Sequence, residues 1–359
     1  MYIKKIVICG FMLYLLSSCS KDAGSSGSSG GGTTPPIPTP TTPTIAPPTP
    51  LAFYVVGYMP SYRSPSTLAD NKYKMCNIIN YAFASVTSSG GLSLAVPANL
   101  VAIQAKAKTY NCKTFISING STTDWRNMAS TASGRTNFII QIMNLVRTYS
   151  LDGVDIDWEF PSTSDGTDAT YTSLMKQLSD SCHTNSKYYL STALTSGKYV
   201  GSYTNAIKDE LLKSNYIDFY NIMAYDDFNT SVPYKQHSDY TLAQVCLNYW
   251  INTRGLASSK TVLGFPAYGR PSGITQSGTI LTYSGILSQG GSPLSDSAIV
   301  SAGAYTNYTI YYNGQPTAKK KAMLAKNSAG GIMMWEMGQD TNDANSLMKA
   351  VCDTLGRAY

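Results

Sequence analysis

The chain has 359 residues and a formal net charge of +6, yet charged side chains make up only 13% of it. This positive charge is spread thinly along the chain, which argues against a nucleic-acid partner. Only two histidines are present, His183 and His237, so a His-dependent triad or metal centre has little support. Residues 51–359 are enough for one large domain, a size that α/β barrels reach undivided.

The first nineteen residues have the features of a secretory signal. Lys4 and Lys5 form a basic start, residues 6–16 an apolar run, and Leu16-Ser-Ser-Cys19 a small-residue cleavage site. The apolar run is shorter than the roughly 20 residues that a transmembrane helix needs. The cleavage site resembles a bacterial lipobox, which implies lipidation of Cys19; the alternative is an ordinary secretory signal that contains a cysteine. We expect export through the inner membrane and a lipid anchor at the outer membrane or cell surface, with no other membrane contact.

A low-complexity segment separates this signal from the domain. Residues 20–50 are almost entirely Gly, Ser, Thr and Pro, a composition that cannot bury a core and predicts a linker of roughly 30 Å. The predicted organisation is therefore a signal over residues 1–19, a linker over 20–50 and a folded domain over 51–359.

The domain alternates strand-like and helix-like segments. Helical spacing is present in residues 98–109, 134–149, 169–182 and 240–253. The β-like runs are 53–58, 77–86, 113–118, 152–160, 188–194, 217–223, 261–266 and 330–336. Alternation of this kind predicts a mostly parallel sheet, and eight units predict a (β/α)₈ TIM barrel of the α/β class. A doubly wound open sheet is the second choice, but no Gly-rich phosphate loop follows the first strand.

The most informative segment is the decamer 151–160. Apolar residues alternate in it with Asp155, Asp157 and Glu159, so the three carboxylates project from one face of a strand. Neighbouring carboxylates repel one another and are expensive to bury as ions, which indicates a functional role. A solvent-facing acidic strand and a divalent-cation site are the alternatives, and we favour neither.

Aromatic and polar residues recur at the carboxyl ends of the other predicted strands, where barrels place their chemistry. These residues are Tyr58, Phe83, Tyr225, Asp226, Tyr268, Arg270 and Trp335. Each alone could be core or rim, but together they predict a groove lined with rings, a surface that suits the apolar faces of pyranose sugars.

The domain contains five cysteines. Their number is odd and none lie close together in sequence, which argues against zinc binding and against a disulfide framework, although one bridge remains open. They are Cys76, Cys112, Cys182, Cys246 and Cys352.

The segment Asp152-x-x-Asp155-x-Asp157-x-Glu159 resembles the DxxDxDxE signature of the family 18 glycoside hydrolases, the chitinases. Residues 113–120 resemble the family's SxGG strand. Residues 223–226 resemble its Met-x-Tyr-Asp motif, 264–270 its seventh strand and 330–335 its eighth strand.

The sequence departs from the family pattern in three places. Asn119 replaces the first glycine of SxGG, and Ser121 stands where a Trp often follows. The segment between Arg270 and Gly330 is short, so the resemblance implies that the inserted α+β lobe is reduced or absent.

The resemblance also implies a mechanism in which the substrate supplies the nucleophile. Glu159 would protonate the leaving oxygen and later activate water, while Asp157 would orient the acetamido group. Asp155 would share a proton with Asp157, Tyr225 would bind the acetamido oxygen, and Trp335 would lie under the reacting sugar. The adjacent carboxylates suit this route, because two groups side by side on one strand cannot easily flank a sugar.

The remaining candidate substrate contacts are Asp226, Tyr58, Met223, Tyr268 and Arg270. The implied activity is retaining hydrolysis of β-1,4-linked N-acetylglucosamine polymers by a monomer, without metal or cofactor. Two alternatives stay open: an endo-β-N-acetylglucosaminidase acting on N-glycan cores, and a surface lipoprotein that binds glycans without cleaving them.

Overall fold

The computed structural model describes residues 43–273 and 277–359. The predicted signal peptide with Cys19 and the linker up to residue 42 lie outside the described residues. The compact unit begins at Pro43, before the predicted boundary at Leu51.

The last residues of the predicted linker pack against the domain. The Ala46 amide donates to the His183 carbonyl at 3.1 Å, and the Tyr189 hydroxyl donates to the Thr49 carbonyl at 2.7 Å. Pro48 is buried. A sequence of Pro and Thr therefore continues into the folded unit, because its backbone groups find partners on the barrel.

The described residues form eight parallel strands and five further strands. The parallel strands are β1 (Tyr54–Pro60), β2 (Ile78–Val86), β4 (Lys113–Asn119), β5 (Gly153–Ile156), β6 (Tyr189–Leu194), β7 (Phe219–Ile222), β8 (Thr261–Pro266) and β13 (Gly331–Trp335). The others are β3 (Leu92–Leu94), β9 (Tyr268–Pro271), β10 (Leu281–Thr282), β11 (Ser297–Ala302) and β12 (Tyr305–Tyr311).

Helices connect these strands. They are α1 (Asp70–Met75), α2 (Pro97–Thr109), α3 (Thr122–Ala129), α4 (Ala132–Thr148), α5 (Thr167–His183), α6 (Ser202–Asn205), α7 (Asp209–Leu212), α8 (Tyr240–Leu247), α9 (Tyr283–Ser288), α10 (Gln315–Ser328) and α11 (Leu347–Leu355). Side-chain oxygens cap several of them, for example Ser121 before α3, Thr131 before α4 and Asp239 before α8. The predicted helix over 240–253 is α8 followed by one π-helical turn, Asn248–Thr253.

The eight parallel strands close into a barrel. Their order is β1-β13-β8-β7-β6-β5-β4-β2, and a parallel pairing of β1 with β2 completes the cylinder. The (β/α)₈ barrel is therefore confirmed, and the open doubly wound sheet is wrong because this sheet leaves no free edge among the eight. Strand β3 adds to β2 antiparallel, outside the closed ring.

The barrel interior has an aromatic layer below and a polar layer above. The rings of Tyr54 and Phe219 stack at 4.4 Å between centroids, and Phe115 packs on both Phe219 and Tyr189. Gly153 leaves room for Phe115, since a Cβ there would lie 2.8 Å from the ring. One step further along the strands, polar side chains replace the rings, and the functional residues described below begin in this layer.

A small lobe lies between β8 and β13. It is a four-stranded antiparallel sheet in the order β10-β9-β12-β11, accompanied by α9. Of the two expectations, a reduced lobe or none, the structure supports a lobe that is present and small.

The five cysteines of the domain are all buried and free. No helix within residues 43–273 and 277–359 is long and apolar enough to cross a bilayer.

Candidate active site

A cavity of about 360 Å³ opens at the carboxyl ends of the barrel strands. Its lining joins carboxylates with aromatic and small side chains. The lining residues are Tyr58, Asp157, Glu159, Phe160, Ala193, Thr195, Ser196, Tyr199, Met223, Tyr225, Asp226, Asp227, Met333 and Trp335.

Strand β5 aims its acids into this cavity through the alternation of its side chains. Val154 and Ile156 face outward and join the core beneath the helices. Trp158 continues this outward series and stacks on Trp125 at 4.9 Å between ring centroids. Regular pairing ends at Ile156, earlier than the predicted residue 160, but the alternation of sides persists as far as Trp158.

Asp155 is fully buried and surrounded by neutral donors. Its Oδ2 accepts from the hydroxyls of Tyr58 and Ser117, each at 2.7 Å. Its Oδ1 accepts from the Ser191 hydroxyl at 2.6 Å and from Asn221 Nδ2 at 3.3 Å. Burial raises the pKa of Asp155, and these hydrogen bonds oppose that rise.

Asp157 has the opposite environment. It is only 5% exposed, and its Oδ1 has no hydrogen-bond partner among the described residues. Burial raises its pKa well above the usual range, and the charges of Glu159 and Asp155 raise it further. No hydrogen bond joins Asp157 to Asp155 in the described part of the chain, so the proton shared between them remains a prediction.

Glu159 lies at the mouth of the cavity, where its side chain is open to solvent on one side. Loss of water around its carboxyl group raises its pKa, and the negative charge of Asp226 raises it further. A carboxylic acid with a raised pKa retains its proton closer to neutral pH, as a general acid requires.

Asp226 is held as an ion by a network behind the cavity wall. Its Oδ1 accepts from the Tyr268 hydroxyl and from Arg270 Nε, each at 2.5 Å, and His237 Nδ1 lies 3.5 Å from it. Burial would raise the pKa of Asp226, but the nearby His237 ring, the hydrogen bonds from Arg270 and the Arg270 charge lower it to about 2. Asp226 adopts a left-handed backbone conformation with φ +64°, which aspartate tolerates better than most residues.

Tyr225 and Trp335 form apolar walls of the cavity. The Tyr225 ring meets Tyr268 edge-on at 6.4 Å between centroids, and burial raises the pKa of its hydroxyl so that it stays protonated. Gly264 leaves space beside it, since a Cβ there would lie 3.1 Å from the Tyr225 ring. Trp335 packs on Phe83 at 5.7 Å between centroids.

The structure brings most of the predicted residues to one cavity. Seven line it directly: Tyr58, Asp157, Glu159, Met223, Tyr225, Asp226 and Trp335. Asp155 lies beneath it as the acceptor of four donors. Tyr268 and Arg270 are not among the described lining residues and reach the cavity only through Asp226.

Sequence reasoning missed two sets of residues. The first contains Ser117, Ser191 and Asn221, which donate to Asp155 from strands β4, β6 and β7. A signal exists for Asn221, the one amide in strand β7, whereas Ser117 and Ser191 share their strands with other polar residues. The second contains Phe160 and Tyr199, which extend the cavity wall beyond Glu159. Tyr203 packs on Phe160 at 5.4 Å between centroids and is 52% exposed.

No group of three or more His, Cys, Asp or Glu side chains suited to a metal ion occurs in the part of the chain that the structure describes. The hydrogen bonds to Asp155 come from neutral hydroxyl and amide donors. The cavity thus combines a buried carboxyl group with a raised pKa, an accessible acid and a wall of aromatic rings, an arrangement suited to proton transfer on a bound ligand.

The fold and the site define the class of protein, a (β/α)₈ barrel with carboxyl groups aligned at the carboxyl ends of its strands, and comparison with known proteins identifies the family. The sequence model "Glycosyl hydrolases family 18" matches residues 54–340. The chain therefore belongs to the glycosyl hydrolases family 18.

Individual relatives agree with this assignment. Endochitinase 1 of Metarhizium robertsii is 26% identical over 288 residues, which are 70% of this chain and 67% of that protein. Chitotriosidase-1 of Mus musculus is 29% identical over 195 residues, only 46% of this chain and 40% of that protein.

Solved structures cover more of the chain. A GH18 chitinase from the chitin utilization locus of Flavobacterium johnsoniae is 29% identical with a TM-score of 0.68, and the alignment covers 84% of this chain and 93% of that one. A chitinase from Bacteroides thetaiotaomicron is 26% identical with a TM-score of 0.72, covering 86% and 99%.

Proposed function

We propose that this protein hydrolyses β-1,4-linked N-acetylglucosamine polymers, chitin and its oligosaccharides, with retention of configuration. The observation that carries the proposal is the unpaired, buried Oδ1 of Asp157 beside Glu159 in a ring-lined cavity. Buried polar atoms normally have partners, so an unpaired carboxyl oxygen on a residue that lines the cavity supports a ligand group as its partner. The relatives' names, endochitinase and chitinase, point to the same substrate class.

In the first step the bound sugar displaces its own leaving group. Glu159 donates its proton to the glycosidic oxygen, and the 2-acetamido carbonyl oxygen attacks the anomeric carbon as the glycosidic bond breaks. The product is a cyclic oxazolinium ion. Asp157 would accept a hydrogen bond from the acetamido N–H and offset the positive charge that develops there.

In the second step water opens the ring. Glu159, now a carboxylate, takes a proton from water, and the resulting hydroxyl bonds to the anomeric carbon while the acetamido oxygen departs. Two inversions at one carbon give net retention. Tyr225, protonated and at the cavity wall, would orient the acetamido oxygen, and Trp335 would support the sugar's apolar face.

The substrate class is tested by parallel digestion. We expect the chain to release soluble oligomers from colloidal chitin and from defined chitooligosaccharides, and to leave an N-glycosylated protein unchanged. Release of the glycan from that protein without chitin cleavage would instead identify an endo-β-N-acetylglucosaminidase. Retention of chitin on the protein without any soluble product would identify a glycan-binding protein.

We further propose that the protein is exported and held by lipid on Cys19 at the outer membrane or cell surface. Support comes from the basic start, the apolar run and the Leu-Ser-Ser-Cys site of the sequence. Metabolic labelling with a fatty acid should mark the chain, and Cys19→Ala should abolish the label. Labelling that survives this substitution would contradict the proposed attachment site.

A further inference from the structure

A second set of cavities lies at the opposite end of the barrel from the candidate active site. The largest, about 740 Å³, is lined by Lys74, Lys113 and Arg357 together with uncharged residues. A neighbouring cavity of about 260 Å³ shares Lys113 and adds Lys108, and another of about 200 Å³ shares Arg357 and adds Lys326. We call these five cations, Lys74, Lys108, Lys113, Lys326 and Arg357, the cationic band.

The band lies at the amino ends of the strands. Lys113 is the first residue of β4, Asn77 in the same cavity directly precedes β2, and Phe53 in the adjoining cavity directly precedes β1. Because the barrel strands are parallel, this end faces away from the mouth that contains Glu159.

The cations of the band form no ion pair with any carboxylate that the structure describes. None of the five takes part in an ion pair within residues 43–273 and 277–359. Lys74 Nζ and Lys113 Nζ instead lie over the rings of Tyr110 and Tyr189, at 5.2 Å from each centroid.

The groups around the band include backbone carbonyls and one carboxylate that already accepts a hydrogen bond from a backbone amide. Arg357 donates to the backbone carbonyls of Met75 and Cys76. Asp152 is the one side-chain carboxylate among the described residues that line the three cavities, and its Oδ2 accepts from the Thr114 amide at 2.9 Å. Asp70 interacts electrostatically with Lys74, so the five cations outnumber the nearby carboxylates and the band presents a net positive charge.

The amino-terminal segment arrives at this same end. The Thr49 carbonyl accepts from the Tyr189 hydroxyl, and Leu51 lines the cavity that contains Lys74 and Lys113. The described chain that precedes the first barrel strand thus joins the barrel beside the band, at the end away from the active-site mouth.

We propose that the cationic band docks the barrel on an anionic lipid headgroup surface, so that the active-site mouth faces away from the membrane; this docking replaces the expectation from the sequence that the lipid anchor is the sole membrane contact. Each Lys or Arg close to such a surface strengthens binding by about fivefold, and the attraction falls within a Debye length of about 10 Å at 0.1 M salt. The docking is independent of the proposed hydrolysis, because the band contributes no residue to the active-site cavity.

Vesicle binding of the chain from Ser20 onward, which lacks the signal and any acyl group, tests the proposal. Sedimentation with phosphatidylglycerol vesicles and with phosphatidylcholine vesicles is compared at low and at 0.5 M salt. We expect binding to the anionic vesicles only, and loss of that binding at high salt. The double variant Lys74→Glu/Lys113→Glu should bind more weakly by about 25-fold or more, because it removes two attractive charges and adds two repulsive ones.

A matched control separates the band from net charge. Lys319→Glu/Lys320→Glu changes the net charge equally at two exposed positions of α10 and should bind within about threefold of the parent chain. If the Glu variant of the band does not fold, Lys74→Gln/Lys113→Gln replaces it, with an expected loss of about 25-fold. Chitooligosaccharide hydrolysis by the same samples should be equal in all cases, so failure of docking is distinguishable from failure of the proposed activity.

Three results would overturn the proposal. They are equal binding to both vesicle types, equal losses from the two double variants, and binding to a soluble sulfated polysaccharide with none to anionic vesicles. The last would assign the band to polyanions in solution.

Discussion

Two buried aspartates of this barrel differ in their partners among the described residues: one carboxylate is fully paired within the fold, and the other has an unpaired oxygen. Asp340 precedes α11 and forms a buried ion pair with Lys72. Its oxygens also accept from the Ser346 hydroxyl at 2.7 Å and the Leu347 amide at 2.8 Å. Asp157 is buried to a similar degree, but its Oδ1 has no partner among the described residues. Burying either carboxylate costs desolvation free energy, and only at Asp340 do an ion pair and hydrogen bonds within the fold offset that cost.

The same contrast occurs between two residues of one strand face. Asp155 accepts four hydrogen bonds from neutral groups, whereas Asp157, one step nearer the mouth, faces like charge from Asp155 and Glu159. The fold therefore supplies hydrogen-bond donors to the deeper carboxylate, Asp155, and none to Oδ1 of the outer one, Asp157, among the described residues. We infer that Asp157, whose Oδ1 has no hydrogen-bond partner in the described chain, is the carboxylate available to a ligand.

The largest expected effect is on the outermost acid. Glu159→Gln removes the proton donor while preserving shape, so the rate of chitooligosaccharide hydrolysis should fall about 10²–10⁴-fold. The thermal midpoint should stay equal to or above that of the parent, since a carboxyl with a raised pKa is removed. Glu210→Gln, at an exposed ion pair with Lys176, is the matched control and should keep full activity. Undiminished hydrolysis by the Glu159 variant would reject its role.

Asp157→Asn should separate activity from stability. Turnover should fall about 10²-fold because the charge that offsets the acetamido cation is lost. Stability should be unchanged or higher, because repulsion with Glu159 and Asp155 disappears. Asp340→Asn is the counterpart and should lower the denaturation midpoint while folded molecules turn over normally. Equal destabilisation by the two substitutions would contradict the inference that the fold stabilises Asp340 and not Asp157.

Lys72→Met removes the cation of the buried Lys72–Asp340 ion pair. Leaving Asp340 buried without its cation should lower the free energy of unfolding by about 3–5 kcal/mol, measured by denaturant titration. Lys319→Met, at an exposed position of α10, should change it by less than about 0.5 kcal/mol. A loss at Lys72 no larger than at Lys319 would show that the ion pair contributes nothing.

The smallest expected effect is a shift in the pH profile. A general acid works only while protonated, so hydrolysis should decline as pH rises through the raised pKa of Glu159. Burial raises that pKa, and the charge of Asp226 adds to the rise. Asp226→Asn removes this charge and should move the alkaline limb of kcat/KM to lower pH. An alkaline limb that stays in place or moves upward would contradict the coupling between these two residues.

The sequence predicts the strands and the acids well because both depend on local patterns. The run 261–266 coincides with β8, Thr261–Pro266, and the alternation over 151–160 correctly assigns Trp158 to the outside and Asp155 to the inside. Strand ends are less predictable, since pairing in β5 stops at Ile156.

What the sequence cannot supply is the register between distant strands. Ser117 and Ser191 face Asp155 because β4 and β6 align them with it across the ladder, and Asn221 reaches it from β7. Such neighbours are separated by tens of residues, and no periodicity relates them. The place of Arg270 behind Asp226, rather than in the cavity wall, likewise depends on how β9 meets the loop after β7.

In the proposed mechanism the bound amino sugar performs the displacement, with Asp157 and Glu159 on one side of it. Proton NMR of the first product from a fully N-acetylated chitohexaose, run beside the fully deacetylated hexamer, tests this most directly. We expect initial release of the β-anomer from the acetylated oligomer, and binding without cleavage of the deacetylated one. Initial release of the α-anomer, or brisk cleavage of the deacetylated hexamer, would contradict it.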